Sequence, residues 1–291
     1  MTRLDTELVS RGLARSRGHA RDLIDHGAVL VDGRQARKAS TEVGAGSEIT
    51  LDLAPGNGST SAVLDSSWVS RAAGKLLGAL ADLPGGGPPV EGRRAADVGA
   101  CTGGFTQVLL RRGARQVFAI DVGHDQLAER LRADPRVVEL SGHNARDLTP
   151  DMIGGEVDLV VADLSFISLT LVMSRLAHLV RPGGDLLLLI KPQFEVGRAG
   201  LDGRGVVRPG PWRREALGRV LATARAEGLS LRHLVRSRTL GQDGNVEFVA
   251  WLTRPHGGPE DALGSASWQA VVDTIAAVCA AADARTGGTH P

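Results

Sequence analysis

Two lysines and two carboxylates stand out along this chain as groups that could do chemistry. They are Lys75 in SRAAGKLLGAL, Asp163 in VVADLSFIS, Lys191 in LLIKPQFE and Glu247 in GNVEFVAWL. A hydroxyl is a poor nucleophile and needs its proton removed as it attacks. A lysine can take that proton when desolvation and a second cation favour its neutral form. Carboxylates then orient the ammonium groups. Lysine usage sharpens the point: of 34 basic residues only Lys38, Lys75 and Lys191 are lysines, and the rest are arginine. Arginine does not lose its proton in a protein, whereas a buried lysine can. Taken singly, each of the four is more commonly a salt-bridge partner than a catalyst.

A second group could hold a ligand. Asp97-Val98-Gly99-Ala100-Cys101-Thr102-Gly103-Gly104-Phe105 reads as a strand end, a glycine-rich turn and the start of a helix. Glycines there permit a tight turn and close backbone approach to a ligand. Asp121 closes the next apolar run, 18 residues after Gly103, where a carboxylate can hold ribose hydroxyls. The spacing is not GxGxxG, and no lysine follows the glycines, so this is not a phosphate-cradling loop. An acidic turn without a phosphate grip suits a neutral-to-cationic nucleoside. S-adenosylmethionine, with a sulfonium, an amino group and no phosphate, is such a ligand. A dinucleotide site and a purely structural turn are the alternatives.

The elements that must position these groups alternate. Strands are expected at 93–101, 116–123, 137–142, 157–165 and 184–193, with the last ones inside LVRSRTLGQDGNVEFVAWL. Helices are expected in QVLLRRG, QLAERLRAD, LTLVMSRLAHLV, WRREALGRVLATARAEG and SWQAVVDTIAAVCAAADA. This rhythm implies an α/β fold, a doubly wound, Rossmann-like and mostly parallel sheet. In such a sheet the carboxyl ends of strands line the ligand crevice. Asp163 and Lys191 end their strands and should project into it. Periodicity alone does not place Lys75 or Glu247. The stretch 194–211, rich in Gly, Arg and Pro, follows Lys191 as a long loop. It is expected to close over a polyanion through Arg198, Arg204 and Arg208, the alternative being a mobile surface loop.

The first ~52 residues form a different pattern, two short helices followed by strands, which is an α+β unit. Ser16 is a plausible helix N-cap and Gly27 a stop. Asp32-Gly33 is a tight hairpin signal directly after the strand pattern of AVLV. Basic and acidic residues balance here, so only their distribution carries information. Arg11, Arg15 and, loosely, Arg21 could share a face with Arg17 nearby, and Arg34, Arg37 and Lys38 lie beyond the hairpin. They read either as a solvated helix face or as a phosphate-binding patch. Residues 54–67 read as a linker.

These motifs carry two resemblances. RLDTELVSRGLARSRGHARDLIDHGAVLVDGRQARK resembles an S4 domain, a small RNA-binding module; the shared features are RLD, Ser16-Arg17, the stretch Gly27–Gly33 and Lys38. The DVGxxxGGF and AIDVG motifs resemble those of class I methyltransferases. The Lys-Asp-Lys-Glu set resembles the tetrad of FtsJ-like ribose 2′-O-methyltransferases. Together with WVSR…GKL, ADLSFISL, IKPQFEVG and GNVEF, the chain is similar to the TlyA family of bacterial 16S/23S rRNA (cytidine-2′-O)-methyltransferases over about residues 3–254.

That resemblance implies an S4-like unit over 1–60, a linker over 61–70, a methyltransferase unit over 71–285 and a tail over 286–291. It implies Lys191 as base, Lys75 as the cation assisting it, and Asp163 and Glu247 as orienting groups. Asp97, Gly99, Gly103, Asp121, Asn144 and Asp163 would hold S-adenosylmethionine, with no metal. Arg3, Arg11, Arg15, Arg17, Arg21, Lys38, Arg198, Arg204 and Arg208 would meet ribosomal RNA or ribosomal subunits. The chain departs from the family at Ser66, where an arginine is usual in the linker, and at Ala73-Gly74-Lys75, where GAHKL is usual.

Composition bounds the rest. With 291 residues, 42% of them hydrophobic and 23% charged, the chain can bury one large core or two modest ones. A net charge of +1 puts any nucleic-acid binding on a local patch. The longest aliphatic run, Leu186–Ile190, is far short of the ~18 residues of a membrane span. That disfavours a membrane-active hemolysin. Two cysteines give neither a disulfide framework nor a zinc set, and the charged N-terminus is not a signal peptide, so a cytoplasmic protein is expected. Nothing demands an oligomer. A non-catalytic RNA-binding assembly factor and a small-molecule methyltransferase, the latter disfavoured by the S4-like unit, are the remaining alternatives. With only 3% aromatic residues, the stacking platforms for a flipped base are Phe105, Phe166, Phe194 and Trp212.

Overall fold

The computed structural model describes residues 2–14, 17–25, 28–44, 46–51, 67–208, 211–257 and 268–286. Arg15, Ser16, Gly27, linker residues 54–66 and tail residues 287–291 lie outside the described residues. Cα proximity divides the chain into two units, Met1–Gly74 and Lys75–Pro291.

In the first unit, β1 (Thr2–Arg3) leads into α1 (Leu4–Ser10), and α2 (Arg17–Asp25) packs on α1. Strands β2 (Val29–Val31), β3 (Arg34–Gln35) and β5 (Ile49–Leu51) make a three-stranded antiparallel sheet in the order β3-β2-β5, while β4 (Glu42–Val43) pairs with β1. The β2–β3 turn is Asp32-Gly33, with φ of 51° and 75°. Both values are positive, as this hairpin turn requires and as Asp-Gly tolerates. Leu4, Leu8, Leu23, Ile24 and Val29 are buried together as the core.

The second unit is built on one seven-stranded sheet. Its strands are β6 (Arg94–Val98), β7 (Gln116–Asp121), β8 (Val137–Ser141), β9 (Val157–Ala162), β10 (Val180–Ile190), β11 (Ser230–Arg236) and β12 (Phe248–Thr253), in the order β11-β12-β10-β9-β6-β7-β8. Every pairing is parallel except those of β12, which runs antiparallel to β10 and β11. The helices are α3 (Ala72–Asp82), α4 (Gly104–Arg111), α5 (Glu129–Arg132), α6 (Met173–Leu179), α7 (Pro211–Ala226) and α8 (Trp268–Thr286). Leu186–Ile190 of β10 are almost wholly inaccessible. A central parallel strand covered on both faces is apolar throughout, which explains the run of leucines. Met173, Leu176, Leu217, Leu221 and Ile275 from α6, α7 and α8 join the same core.

Two elements differ from the sequence expectation. The helix expected over 126–134 is only α5, four residues long. The helix expected over 169–180 opens with a separate 3-10 turn at Leu169–Leu171, set by Ser168, whose side chain accepts from the Thr170 N–H. The loop 194–211 is ordered over its described residues: Leu201 bridges Val207, and Asp202 Oδ1 accepts from the N–H groups of Arg204 and Val206. Over its described residues it therefore holds a defined turn.

Candidate functional site

β6 and β9 are sheet neighbours although other strands intervene in sequence, so the chain reverses its winding between them. A crevice opens beyond their carboxyl ends. Gly99 and Asp163 are the residues that leave those ends. The Asp163 N–H donates to the Val98 carbonyl at 3.2 Å. At Gly99, with φ of +87°, an added Cβ would lie 2.8 Å from the Asp163 carbonyl oxygen, so only glycine lets the two turns close. Beyond them lies a cavity of about 600 Å³, lined by Gly99, Asp121, Val122, Asn144, Asp163 and Ser165 among others. That is the size range of small-ligand sites.

Asp121 orders the glycine-rich turn. Its Oδ2 accepts from the Cys101 N–H and its Oδ1 from the Gly123 N–H, both at 2.8 Å. Each oxygen keeps a second lone pair for a hydroxyl donor. Val122, exposed beside it, offers an apolar face. Asn144 Oδ1 accepts from the Arg146 N–H. Asp97 is fully buried; its Oδ2 accepts from the Thr106 N–H at 2.8 Å and from Thr106 Oγ1 at 2.6 Å, and its Oδ1 has no hydrogen-bond partner. Burial pushes the Asp97 carboxyl up to about 7. Gly103 does not line the cavity: it caps α4, and a Cβ there would strike Leu131 and Leu127. Its smallness serves packing. Asp97 does not line the cavity either; it lies buried behind the turn. A turn with paired acceptors and an apolar wall fits a nucleoside.

The four ionisable residues converge. Lys191 Nζ lies 2.6 Å from Asp163 Oδ1 and donates to Ser165 Oγ at 2.8 Å. Lys75 Nζ lies 2.7 Å from Glu247 Oε2 and 3.9 Å from Asp163 Oδ2. Asp163 Oδ1 and Glu247 Oε2 are not met along a hydrogen-bonding axis, so these contacts are close charge pairs rather than aligned bonds. The lysine and Glu247 side chains are all less than a tenth exposed. Lys191 follows β10, which lies beside β9, and so reaches Asp163 and Ser165. Glu247 immediately precedes β12. Because β12 runs antiparallel to β10, with Phe248 opposite Ile190, its start lies at the end of β10. Lys75 sits in the first turn of α3.

Aromatic residues around the tetrad sort by exposure. Phe105 is buried, and Trp212 packs among Val196, Val207 and Ala216. Phe166 is 87% exposed, has a φ of 63° and lies 5.3 Å from the Phe194 ring. A positive φ in a bulky residue is a strained backbone held at a site.

The basic residues sort as well. Arg198, Arg204 and Arg208 are exposed on the turn after Lys191, which Asn245 ties down by accepting from the Val207 N–H and donating to the Gly205 carbonyl. In the first unit, Lys38 is exposed, and Arg11 bonds Glu7 and the Ser47 carbonyl. Arg3, Arg17 and Arg21 instead gather on Asp5. Arg21 therefore groups with Arg17, one helical turn away, and not with Arg11.

Sequence reasoning missed Ser165 and Glu195. Ser165 stands inside ADLSFIS, but a serine beside a lysine in space leaves no spacing signal. Glu195, within KPQFEVG, accepts from Ser168 Oγ at 2.5 Å and from the Leu169 N–H at 2.8 Å, and so clasps the loop after β9 to the loop after β10. Burial pushes its carboxyl up.

Residues 68–254 match the FtsJ-like methyltransferase family, and residues 2–49 match the S4 domain. The chain is 47% identical over 252 residues to the 16S/23S rRNA (cytidine-2′-O)-methyltransferase TlyA of Mycobacterium tuberculosis, covering 86% of this chain and 89% of the relative. It is 33% identical to a protein of Brachyspira hyodysenteriae named Hemolysin A, covering 85% and 98%. A solved structure from Streptococcus thermophilus with a provisional hemolysin designation is 32% identical and superposes with a TM-score of 0.68, covering 95% of both chains.

Proposed function

The chain belongs to the TlyA family of FtsJ-like methyltransferases, and on that premise we propose that it methylates the 2′-hydroxyl of a cytidine ribose in 16S ribosomal RNA, 23S ribosomal RNA or both, with Lys191 as the base. The observation that carries this reading is the convergence of Lys75, Asp163, Lys191 and Glu247 at one end of the sheet, where the cavity opens.

S-adenosylmethionine would be held by Asp121, Asn144, Gly99 and Asp163, with Asp97 behind the turn, and when bound supplies an electrophilic methyl group on a sulfonium. Lys191 Nζ takes the proton of the attacking hydroxyl. Ser165 accepts a hydrogen bond from that nitrogen, and Asp163 holds it in place as a charge partner. Lys75, clamped by Glu247, places a second cation beside Asp163 and keeps that carboxylate from neutralising Lys191 alone. Positioning supplies much of the rate in such an in-line transfer. Phe166 is the platform for the base of the target nucleotide. Residues 1–60 bind rRNA, residues 71–285 carry the transfer, and Arg198, Arg204 and Arg208 meet phosphates. Neither an oligomer nor a metal is required, and the enzyme works in the cytoplasm.

Among the described residues no helix is long and apolar enough to cross a membrane. The hemolysin reading therefore gains no support from the helices.

The test is transfer of a tritiated methyl group to isolated 16S and 23S rRNA and to 30S and 50S subunits, with ribose-level mapping. The expected product is 2′-O-methylcytidine. Intact cofactor binding without transfer to any of the four would move the assignment to a non-catalytic assembly factor.

A further inference from the structure

Asp5 is an acidic residue inside a unit read as binding a polyanion, and its side chain is fully buried beneath three arginines. Arg3 forks onto it, with Nε on Oδ1 and Nη2 on Oδ2, both at 3.0 Å. Arg17 Nη2 donates to Oδ2 at 3.2 Å, and Arg21 Nε lies 3.5 Å from the same oxygen. The three guanidinium groups come from β1 and from successive turns of α2, and their side chains are about half exposed. Arg3, the first among these partners, holds the Asp5 carboxyl well below the usual carboxylate range.

We propose that Asp5 is a positioning residue for RNA: it gathers Arg3, Arg17 and Arg21 into one rigid cradle whose outward N–H groups take a backbone phosphate. This rests on the reading of residues 1–60 as an rRNA-binding unit. Three like charges, one from β1 and two from α2, repel and would otherwise spread into solvent. One buried carboxylate holds them together and leaves a formal +2 (three cations, one anion) at the surface. A guanidinium has five N–H donors in a fixed plane. Binding Asp5 through one edge fixes that plane, so less rotamer entropy is lost when phosphate meets the other edge.

The inference opposes simple electrostatics, and that makes it testable. Asp5→Asn removes a negative charge from an RNA-binding face, so charge counting alone predicts tighter binding. A positioning role predicts weaker binding. The full-length chain would be titrated with isolated 16S and 23S rRNA across a salt series, with S-adenosylmethionine binding and thermal unfolding measured alongside. The expected result for Asp5→Asn is about tenfold weaker RNA binding, with unchanged cofactor binding and a shallower salt dependence. Equal or tighter binding overturns the inference.

Should Asp5→Asn unfold the unit, Arg21→Lys and Arg3→Lys keep the charge but lose the planar fork. Weakening of about threefold or more supports the cradle, and wild-type affinity in both overturns it. Failure of the wild-type chain to bind either rRNA is a different outcome, which removes the rRNA-binding reading itself and the inference with it.

Discussion

Lys75 and Lys191, drawn from a helix and from the end of a distant strand, both reach one carboxylate: Asp163 Oδ1 lies 2.6 Å from Lys191 Nζ and Oδ2 lies 3.9 Å from Lys75 Nζ. The unequal distances divide the roles. Lys191 is held by Asp163 and Ser165, while Lys75 is bound closely by Glu247 and touches Asp163 at longer range.

Lys191→Ala should lower methyl transfer by about 10²–10⁴-fold, the usual contribution of a positioned base, while cofactor binding persists in calorimetry. Lys191→Arg is the sharper variant. It keeps a cation beside Asp163 but cannot give up a proton at working pH, and it should be as inactive as alanine. Transfer at near wild-type rate by Lys191→Arg would remove Lys191 as base.

Lys75→Met should cost stability as well as activity. It leaves Glu247, only 2% exposed in its side chain, without its close cation. Breaking a buried pair from one side costs about 3–5 kcal/mol, visible as a lowered Tm. The double variant Lys75→Met/Glu247→Leu should recover part of that stability and none of the activity. A Tm unchanged in the single variant would contradict the pairing.

Asp97 gives a pH dependence of defined sign. Its folded carboxyl, pushed up to about 7 by burial, sits above the unfolded value near 4. Its contribution to the free protein's stability is therefore fully present below pH ~4 and lost as pH rises through about 7. A cationic ligand favours the ionised carboxylate. S-adenosylmethionine affinity should thus rise from pH 6 to pH 8, with proton release seen as buffer-dependent binding enthalpy. Asp97→Asn should flatten both trends; a wild-type profile in that variant would place the titration elsewhere.

Gly241→Ala should impair catalysis from outside the tetrad. An added Cβ would lie 2.2 Å from Glu247 Oε1, inside the space that the carboxylate occupies. Displacing that carboxylate loosens Lys75. The expected outcome is a fall in kcat of at least about tenfold, from a misplacement of under an ångström or so, with RNA affinity unchanged. Full activity would show that Glu247 can move without consequence.

Phe166→Ala should leave the Tm and cofactor affinity close to wild type, because the side chain is 87% exposed. Transfer to rRNA should fall, since base–aromatic stacking contributes about 1–3 kcal/mol per base. Phe166→Trp should retain activity. Wild-type kcat/KM in the alanine variant would eliminate the platform.

Local pattern along the chain was enough to specify the strand–helix alternation, because parallel central strands must be apolar throughout and Leu186–Ile190 is such a run. It was enough for the Asp32-Gly33 hairpin, since that turn needs two positive φ angles. It also placed Asp121, Asp163 and Lys191 at strand ends, where the crevice must lie. Helix lengths were less legible: capping by Ser168 broke one expected helix into a 3-10 turn and α6.

Partnership between distant residues came from the folded chain alone. Glu247 joins the site because β12 reverses direction against β10, bringing the start of one strand to the end of the other. Strand direction is set by long-range pairing, and no local periodicity encodes it. Ser165, Glu195 and Asp5 were silent for the same reason. A serine 2.8 Å from a lysine amine, a glutamate clasping two loops and an aspartate beneath three arginines are relations in space. Electrostatic attraction and hydrogen bonding act at short range, between groups that the fold brings together from many residues apart.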